Sequence, residues 1–133
     1  MTYKPNLGTV TGDMYHILKH FPLLKNIPFQ EYYNGKLSLE IDPDMDTEWG
    51  YCMSAKDAMC PLRIAKWEIG IAGEFPTRRR YLLTLVHELF HLYQMTVLKL
   101  PTPNHGKRMS TYMSTTAKHQ LDKMLRRETK WQY

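Results

Sequence analysis

A long amphipathic segment constrains the fold of this chain most strongly. From Thr77 to about Leu98, apolar residues recur at helical spacing and fill an arc of roughly 180° on a helical wheel. Thr77 is a suitable N-cap, and Leu100-Pro101 disfavours further helix. We therefore predict a long helix that buries one side in the core of the protein.

Two histidines stand at the edge of this apolar arc, in the sequence His87-Glu88-Leu89-Phe90-His91. Residues four apart share one face of a helix, so both imidazoles can reach one metal ion. Glu88 is then placed to take a proton from a metal-bound water. This HExxH pattern is typical of zinc peptidases and predicts Zn²⁺ as cofactor, with His87 and His91 as ligands and Glu88 as general base. The alternative is a charged stretch of an ordinary helix.

A catalytic zinc ion needs a third protein ligand and an open position for water. The extended HExxHxxGxxH pattern is absent, because Gln94 and Val97 replace its Gly and its last His. His105 follows a Pro-rich turn that would return the chain toward the long helix, and we predict it as the third ligand. His119 lies about 21 Å further along a helix, so we predict a surface or interface position for it. The other downstream candidates are Asp122 and Glu128.

The remaining segments predict an α+β fold in one domain, residues 1–133. Thr11 or Asp13 is a plausible cap for a first helix that buries Met14, Ile17, Leu18 and Phe21. Alternating patterns predict strands over Lys36–Ile41, Trp49–Met53 and Ile64–Ile71. An apolar stripe from Met109 to Leu125 predicts a last helix ending near Arg126. Helices would then pack on one side of a small antiparallel sheet.

The composition gives general indications of the cellular location and the binding partners of the protein. No apolar run approaches the length needed to span a bilayer, and the N-terminus lacks the apolar core of a secretion signal, so we expect a cytoplasmic protein with no membrane partner. Cys52 and Cys60 are too few for a disulfide scaffold, and we expect both to be reduced. The net charge of +5 favours a polyanionic partner such as nucleic acid without specifying it. Its candidate contacts are Arg78, Arg79, Arg80, Lys107 and Arg108.

The segment from Trp49 to Met109 resembles the SprT-like zinc metallopeptidase domain, the family that includes Spartan. The resemblance is carried by a Gly-containing strand, a second strand, the HExxH helix and a later His-Gly pair. In this chain these are Trp49-Gly50-Tyr51-Cys52, Trp67-Glu68-Ile69-Gly70-Ile71, Leu83 to His91, and His105-Gly106-Lys107-Arg108-Met109. Met109 stands where the family usually has an aromatic residue, and no Cys-rich zinc ribbon follows. The resemblance implies a zincin-like fold, with a small antiparallel sheet against the long HExxH helix and a second C-terminal helix.

The resemblance also implies an endopeptidase that acts on proteins or peptides, including proteins associated with DNA. The strand at Trp67–Ile71 would be the sheet edge that holds an extended substrate by backbone pairing. Tyr112 is expected to pack in the core or at the surface rather than to stabilise an oxyanion, and His16 and His20 to be ordinary helix residues. Two alternatives stay open: a nucleic-acid-binding or adaptor protein with a structural zinc site, and metal-dependent hydrolysis of a non-peptide bond.

Overall fold

The structure is a computed structural model that describes residues 2–45, 48–54 and 65–131, with side chains described up to residue 128. It belongs to the α+β class, as predicted. Helix α1 is followed by two short 3₁₀ turns, three strands, the long helix α2, and then helices α3 and α4, which are joined by a π-helical turn. Their bounds are α1 Leu7–His20, 3₁₀ turns Leu24–Asn26 and Phe29–Glu31, β1 Leu37–Asp42, β2 Gly50–Ser54, β3 Trp67–Ala72, α2 Arg78–Thr96, α3 Lys107–Tyr112, π turn Met113–Ala117 and α4 Lys118–Trp131.

The sheet formed by the described strands is mixed, so the prediction of an antiparallel sheet is wrong. The strand order is β1-β3-β2, with β3 parallel to β1 and antiparallel to β2. Leu37 pairs with Trp67 on one side of β3, and Gly50 pairs with Ile71 on the other. The alternation of side chains in a strand predicts its faces but carries no information on the order or direction of its neighbours. Ile64, the predicted start of β3, lies outside the described residues.

The central position of β3 also corrects the expected substrate-binding edge. Residues 68–72 of this strand are buried, as is typical of a strand with neighbours on both sides. Its backbone already pairs with β1 and β2, so Trp67–Ile71 cannot offer a free edge. Within the described sheet, β2 is the edge strand that contacts α2.

Helix α1 begins earlier than predicted. The side chain of Asn6 caps it by accepting a hydrogen bond from the backbone N–H of Thr9 at 2.9 Å. Thr11 and Asp13, the predicted caps, therefore lie inside the helix. The predicted apolar face is confirmed, because Met14, Ile17, Leu18 and the following Phe21 are all buried.

Helix α2 forms the centre of the core. Thr77 is its N-cap, as predicted, and its hydroxyl accepts from the backbone N–H of Arg80 at 3.1 Å. From Tyr81 to Thr96, only Leu83 and His87 are not buried. The buried surface is wider than the predicted arc because β2 and β3 pack on this helix together with α1 and α4. No helix among the described residues is long and apolar enough to cross a membrane.

The C-terminal helical region keeps one face toward the core despite a change of helix type. Its buried residues are Met109, Tyr112, Ala117, Leu121 and Met124. Their spacing is three, five, four and three residues, and the step of five falls on the π turn, where one extra residue is accommodated. The predicted stripe is therefore correct at four positions, whereas Met113 and Leu125 are only half-buried. The helix continues to Trp131, beyond the predicted end.

Candidate metal centre

Three histidines from two segments meet at one point on α2. His87 and His91 lie one turn apart, with ring centroids separated by 4.8 Å. His105, in the loop before α3, brings its ring to 5.1 Å from His87 and 4.7 Å from His91. One nitrogen of each ring lies within 4.8 Å of the others, which is close enough for all three to bind a single metal ion. The structure thus brings His105 next to the two histidines of α2, where a third ligand was predicted.

The donor set fits a catalytic type of zinc site. Bonds of about 2.0–2.1 Å in tetrahedral geometry place two ligand nitrogens about 3.3 Å apart. The Nε2 atoms of His91 and His105 are 3.1 Å apart, close to that value. Three imidazoles leave a fourth position open, and the rings border a cleft rather than a closed core.

The surroundings of the histidines favour their neutral form, which metal binding requires. Burial, and then the neighbouring His91 and His105, lower the pKa of His87 to about 4. Burial also lowers the pKa of His91, although its hydrogen bond to Gln94 acts in the opposite direction. Both ligands on α2 therefore offer a lone pair at neutral pH.

Gln94 connects the two halves of the site, a role that the sequence analysis missed. Its amide nitrogen donates to the backbone oxygen of Asn104 at 3.0 Å, and its oxygen accepts from the Asn104 N–H at 3.2 Å. The same oxygen lies 2.9 Å from Nδ1 of His91. This contact places the imidazole proton on Nδ1 and leaves Nε2 free for a metal. The signal in the sequence was an amide residue three positions after His91, a spacing that brings the two side chains close together on a helix.

The side chain of Asn104 continues this network toward the third ligand. Its Oδ1 accepts a hydrogen bond from the backbone N–H of Gly106 at 3.1 Å. His105 lies between Asn104 and Gly106 in the chain, and its side chain is exposed. The loop is therefore held at its base by Gln94 while its ligand side chain faces the cleft.

Glu88 is a buried acid beside the histidine cluster. Only 4% of its surface is exposed. Burial, and secondarily the nearby carboxylate of Glu48, raise its pKa to about 8. A bound divalent cation would add a favourable charge and lower this pKa. Glu88 thus has the position and the tunable basicity that a general base requires.

Gly50 on β2 allows the strand to approach this acid closely. A Cβ atom at that position would lie 3.0 Å from the backbone oxygen of Gly70, 3.0 Å from Thr84 Cγ2 and 3.2 Å from Glu88 Cγ. The absence of a side chain therefore lets the edge strand pack directly over the turn of α2 that carries the acid.

An open cleft of about 690 Å³ connects these features. One wall of the cleft is formed by the first residues of β2 and the two residues before it, 48–52. The other wall is formed by α2 and the His105 loop. The residues that line it are Glu48, Trp49, Gly50, Tyr51, Cys52, Arg80, Leu83, Thr84, His87, Glu88, His91, Pro103, His105 and Met113. Its volume is in the range of pockets that bind ligands and leaves room for several peptide residues.

The other candidate ligands lie elsewhere. His119 is exposed, as predicted. Asp122 pairs with Arg79, and Glu128 pairs with Arg78. Tyr112 packs in the core and donates its hydroxyl proton to the backbone oxygen of Pro22, in agreement with its expected packing role. His16 and His20 contact each other on α1, outside the one cluster of three or more metal-ligating groups found among the described residues.

The basic residues do not form one continuous free surface. Arg78 and Arg79 are engaged with carboxylates, and Arg80 lines the cleft. Lys107 and Arg108 are exposed on the first turn of α3. Cys52 is a free thiol that lines the cleft, and burial raises its pKa. Cys60 lies outside the described residues.

Comparisons with known proteins give this chain no relative: no family model, no curated protein and no solved structure matches it.

Proposed function

We propose that this protein is a zinc-dependent endopeptidase of the SprT-like type, with a zincin-like arrangement of its HExxH helix. The observation that carries the proposal is the buried acid Glu88 next to a cluster of three histidines at the floor of an open cleft. A site with a purely structural metal has no need of a base in this position, and burial of a carboxyl group that pairs with no cation among the described residues is costly. The chemistry is therefore hydrolysis, with proteins or peptides as substrates.

His87, His91 and His105 would hold the zinc ion, and Gln94 would orient His91. When bound, zinc supplies a Lewis acid that makes a water molecule more acidic and polarises a peptide carbonyl. Glu88 accepts the proton of the attacking water and then returns it to the departing amine. Because this carboxyl is shielded from bulk solvent in the cleft wall, it keeps the proton close to the scissile bond between the two steps.

Strand β2 is the element best placed to align the substrate. It lies at the edge of the described sheet and forms a wall of the cleft beside Glu88. We propose that an extended peptide adds to this strand by backbone hydrogen bonding, which fixes the peptide direction without restricting its side chains. This assignment replaces β3 as the substrate-binding edge.

A protein-degradation assay with three forms of the protein tests the proposal. We expect zinc at one ion per chain and cleavage of an unfolded protein substrate by the unmodified protein. Glu88→Gln should retain zinc and lose about 10²–10⁴-fold in rate, the usual contribution of a general base. Glu74→Gln makes the same chemical change outside the cleft and should leave the rate unchanged. Zinc binding without cleavage by any form would instead support the adaptor function.

We propose that proteins associated with DNA are one group of substrates. We also propose that the protein is cytoplasmic, which is consistent with the free thiol of Cys52. Of the five candidate contacts, Lys107 and Arg108 are exposed and lie outside the cleft, so they are the pair proposed to contact phosphate. If they bind DNA, the affinity should fall steeply with salt, and Lys107→Glu with Arg108→Glu should reduce it. DNA binding that is absent or insensitive to salt would remove nucleic acid from the list of partners.

A further inference from the structure

Three consecutive arginines at the start of α2 have different environments. Arg78 pairs with Asp13 at 3.0 Å and also binds Glu128, and Arg79 pairs with Asp122. The guanidinium group of Arg80, by contrast, makes no hydrogen bond or ion pair with any residue in the described ranges, and its side chain is exposed. Arg80 is also the member of the triplet that lines the cleft.

The position of Arg80 relative to the histidine cluster follows from the helix. Arg80, Thr84 and His87 all line the cleft, at spacings of four and three residues along one face of α2. Seven residues correspond to about 10.5 Å along the axis. For an extended peptide that runs along the cleft parallel to α2, at about 3.3 Å per residue, this distance places Arg80 about three residues from the bond over the histidine cluster. The inclination of helical side chains toward the N-terminus places its guanidinium group slightly further away.

The electrostatic setting of Arg80 is unfavourable unless an anion joins it. The first turn of a helix carries a partial positive charge, which opposes a cation at this position. Arg78 and Arg79 are compensated by their carboxylates. Glu48 lines the same cleft, but it forms no ion pair with Arg80. A charge-assisted contact with an incoming carboxylate would therefore be favourable here.

We propose that Arg80 is a specificity-determining residue that binds the carboxylate of an Asp or Glu side chain about three or four residues from the scissile bond. This inference rests on the proposed peptidase function. The planar guanidinium group can hold a carboxylate through two parallel hydrogen bonds, which selects it over a neutral amide of the same shape.

The test is a binding measurement that does not depend on catalysis. Zinc-loaded Glu88→Gln protein is titrated into fluorescent peptides of neutral sequence in which one Asp is moved along the chain, with Asn at the same position as reference. We expect one or two adjacent positions at which Asp binds about tenfold more tightly than Asn, as for one charge-assisted contact in a partly solvated cleft. Adding Arg80→Gln should abolish that preference.

Arg79→Gln is the matched control, because it removes the same charge from the same helical turn but on the side that faces Asp122. It should leave the Asp preference intact. Equal binding of all peptides, or a preference that survives Arg80→Gln, would overturn the inference.

Cleavage of the same peptides separates this inference from the proposed function. If the unmodified protein cleaves Asp and Asn peptides equally well and binds them equally, Arg80 has no specificity role while the peptidase function stands. If the Asp preference in binding depends on Arg80 but no peptide or protein is cleaved, the anion site stands and the peptidase function fails.

Discussion

Replacement of Gln94 by Leu should weaken zinc binding without touching a ligand. His91 is buried, with 4% of its surface exposed, and the Gln94 oxygen is the acceptor for its Nδ1. In the zinc-bound form Nε2 must be unprotonated, so the proton stays on Nδ1 and requires that acceptor. The metal-free ring can move its proton to Nε2 instead. Loss of the acceptor therefore raises the free energy of the zinc-bound form more than that of the metal-free form.

The magnitude follows from the number of contacts that are lost. An unsatisfied buried donor costs about 1–3 kcal/mol. Release of the Asn104 loop adds a smaller term, because Asn104 is exposed and water can replace its partners. At about 1.4 kcal/mol per tenfold change, the zinc dissociation constant should rise about 10- to 100-fold, as is found for other residues that support metal ligands.

Competition for zinc against a chromophoric chelator at neutral pH measures this change. Gln94→Glu keeps an acceptor for His91 but loses the donor to Asn104, so its affinity should fall between those of the unmodified protein and Gln94→Leu. Thr96→Ala removes another buried hydrogen bond of α2, to the oxygen of Leu92, and should not alter zinc affinity. A folded Gln94→Leu protein with zinc affinity within twofold of the unmodified protein would refute the proposed role of Gln94.

Three further predictions concern stability and the geometry of the site. Gly50→Ala should lower the free energy of unfolding by about 1–3 kcal/mol through overpacking, as measured by denaturation, and it should reduce the cleavage rate more than the zinc affinity. An unchanged cleavage rate would contradict the close packing of β2 on Glu88. Because the folded pKa values of His87 and His91 lie below the unfolded value, these two histidines should destabilise the metal-free protein as pH falls from about 6.5 toward 4, against the opposite contribution of the raised pKa of Glu88, as followed by urea denaturation. His87→Phe should flatten this dependence, and an unchanged slope would argue against it. Arg78→Met should cost about 2–3 kcal/mol in the same assay, because a partly buried network loses its cation. Arg79→Met should cost clearly less, because its pair with Asp122 is more exposed to solvent; equal losses would contradict this distinction.

The helical features of the site could be predicted because they depend on neighbours in sequence. The 3.6-residue period of α2 places His87 and His91 on one face whatever surrounds the helix. The Pro-rich turn and the short distance along the chain likewise limit where His105 can lie. Thr77 was identified as a cap because its hydroxyl bonds a backbone group only three residues away.

The sheet and the contacts around the site could not be predicted in the same way. The order β1-β3-β2 depends on which strands meet across the fold, and an alternating pattern is the same for a central strand and an edge strand. The role of Gln94 depends on its hydrogen bonds to a loop ten residues away. The role of Arg80 depends on the fact that carboxylates from distant segments pair with Arg78 and Arg79.

The sequence by itself determined the long helix and the positions of His87, Glu88 and His91 along it, because local periodicity is sufficient to place them. The tertiary structure decided what surrounds them. It selected β2 as the edge beside Glu88, held the His105 loop through Gln94, and left Arg80 facing the cleft. The physical reason is that these features arise from contacts between distant segments, whose partners are chosen by the packing of the whole fold and not by any local pattern.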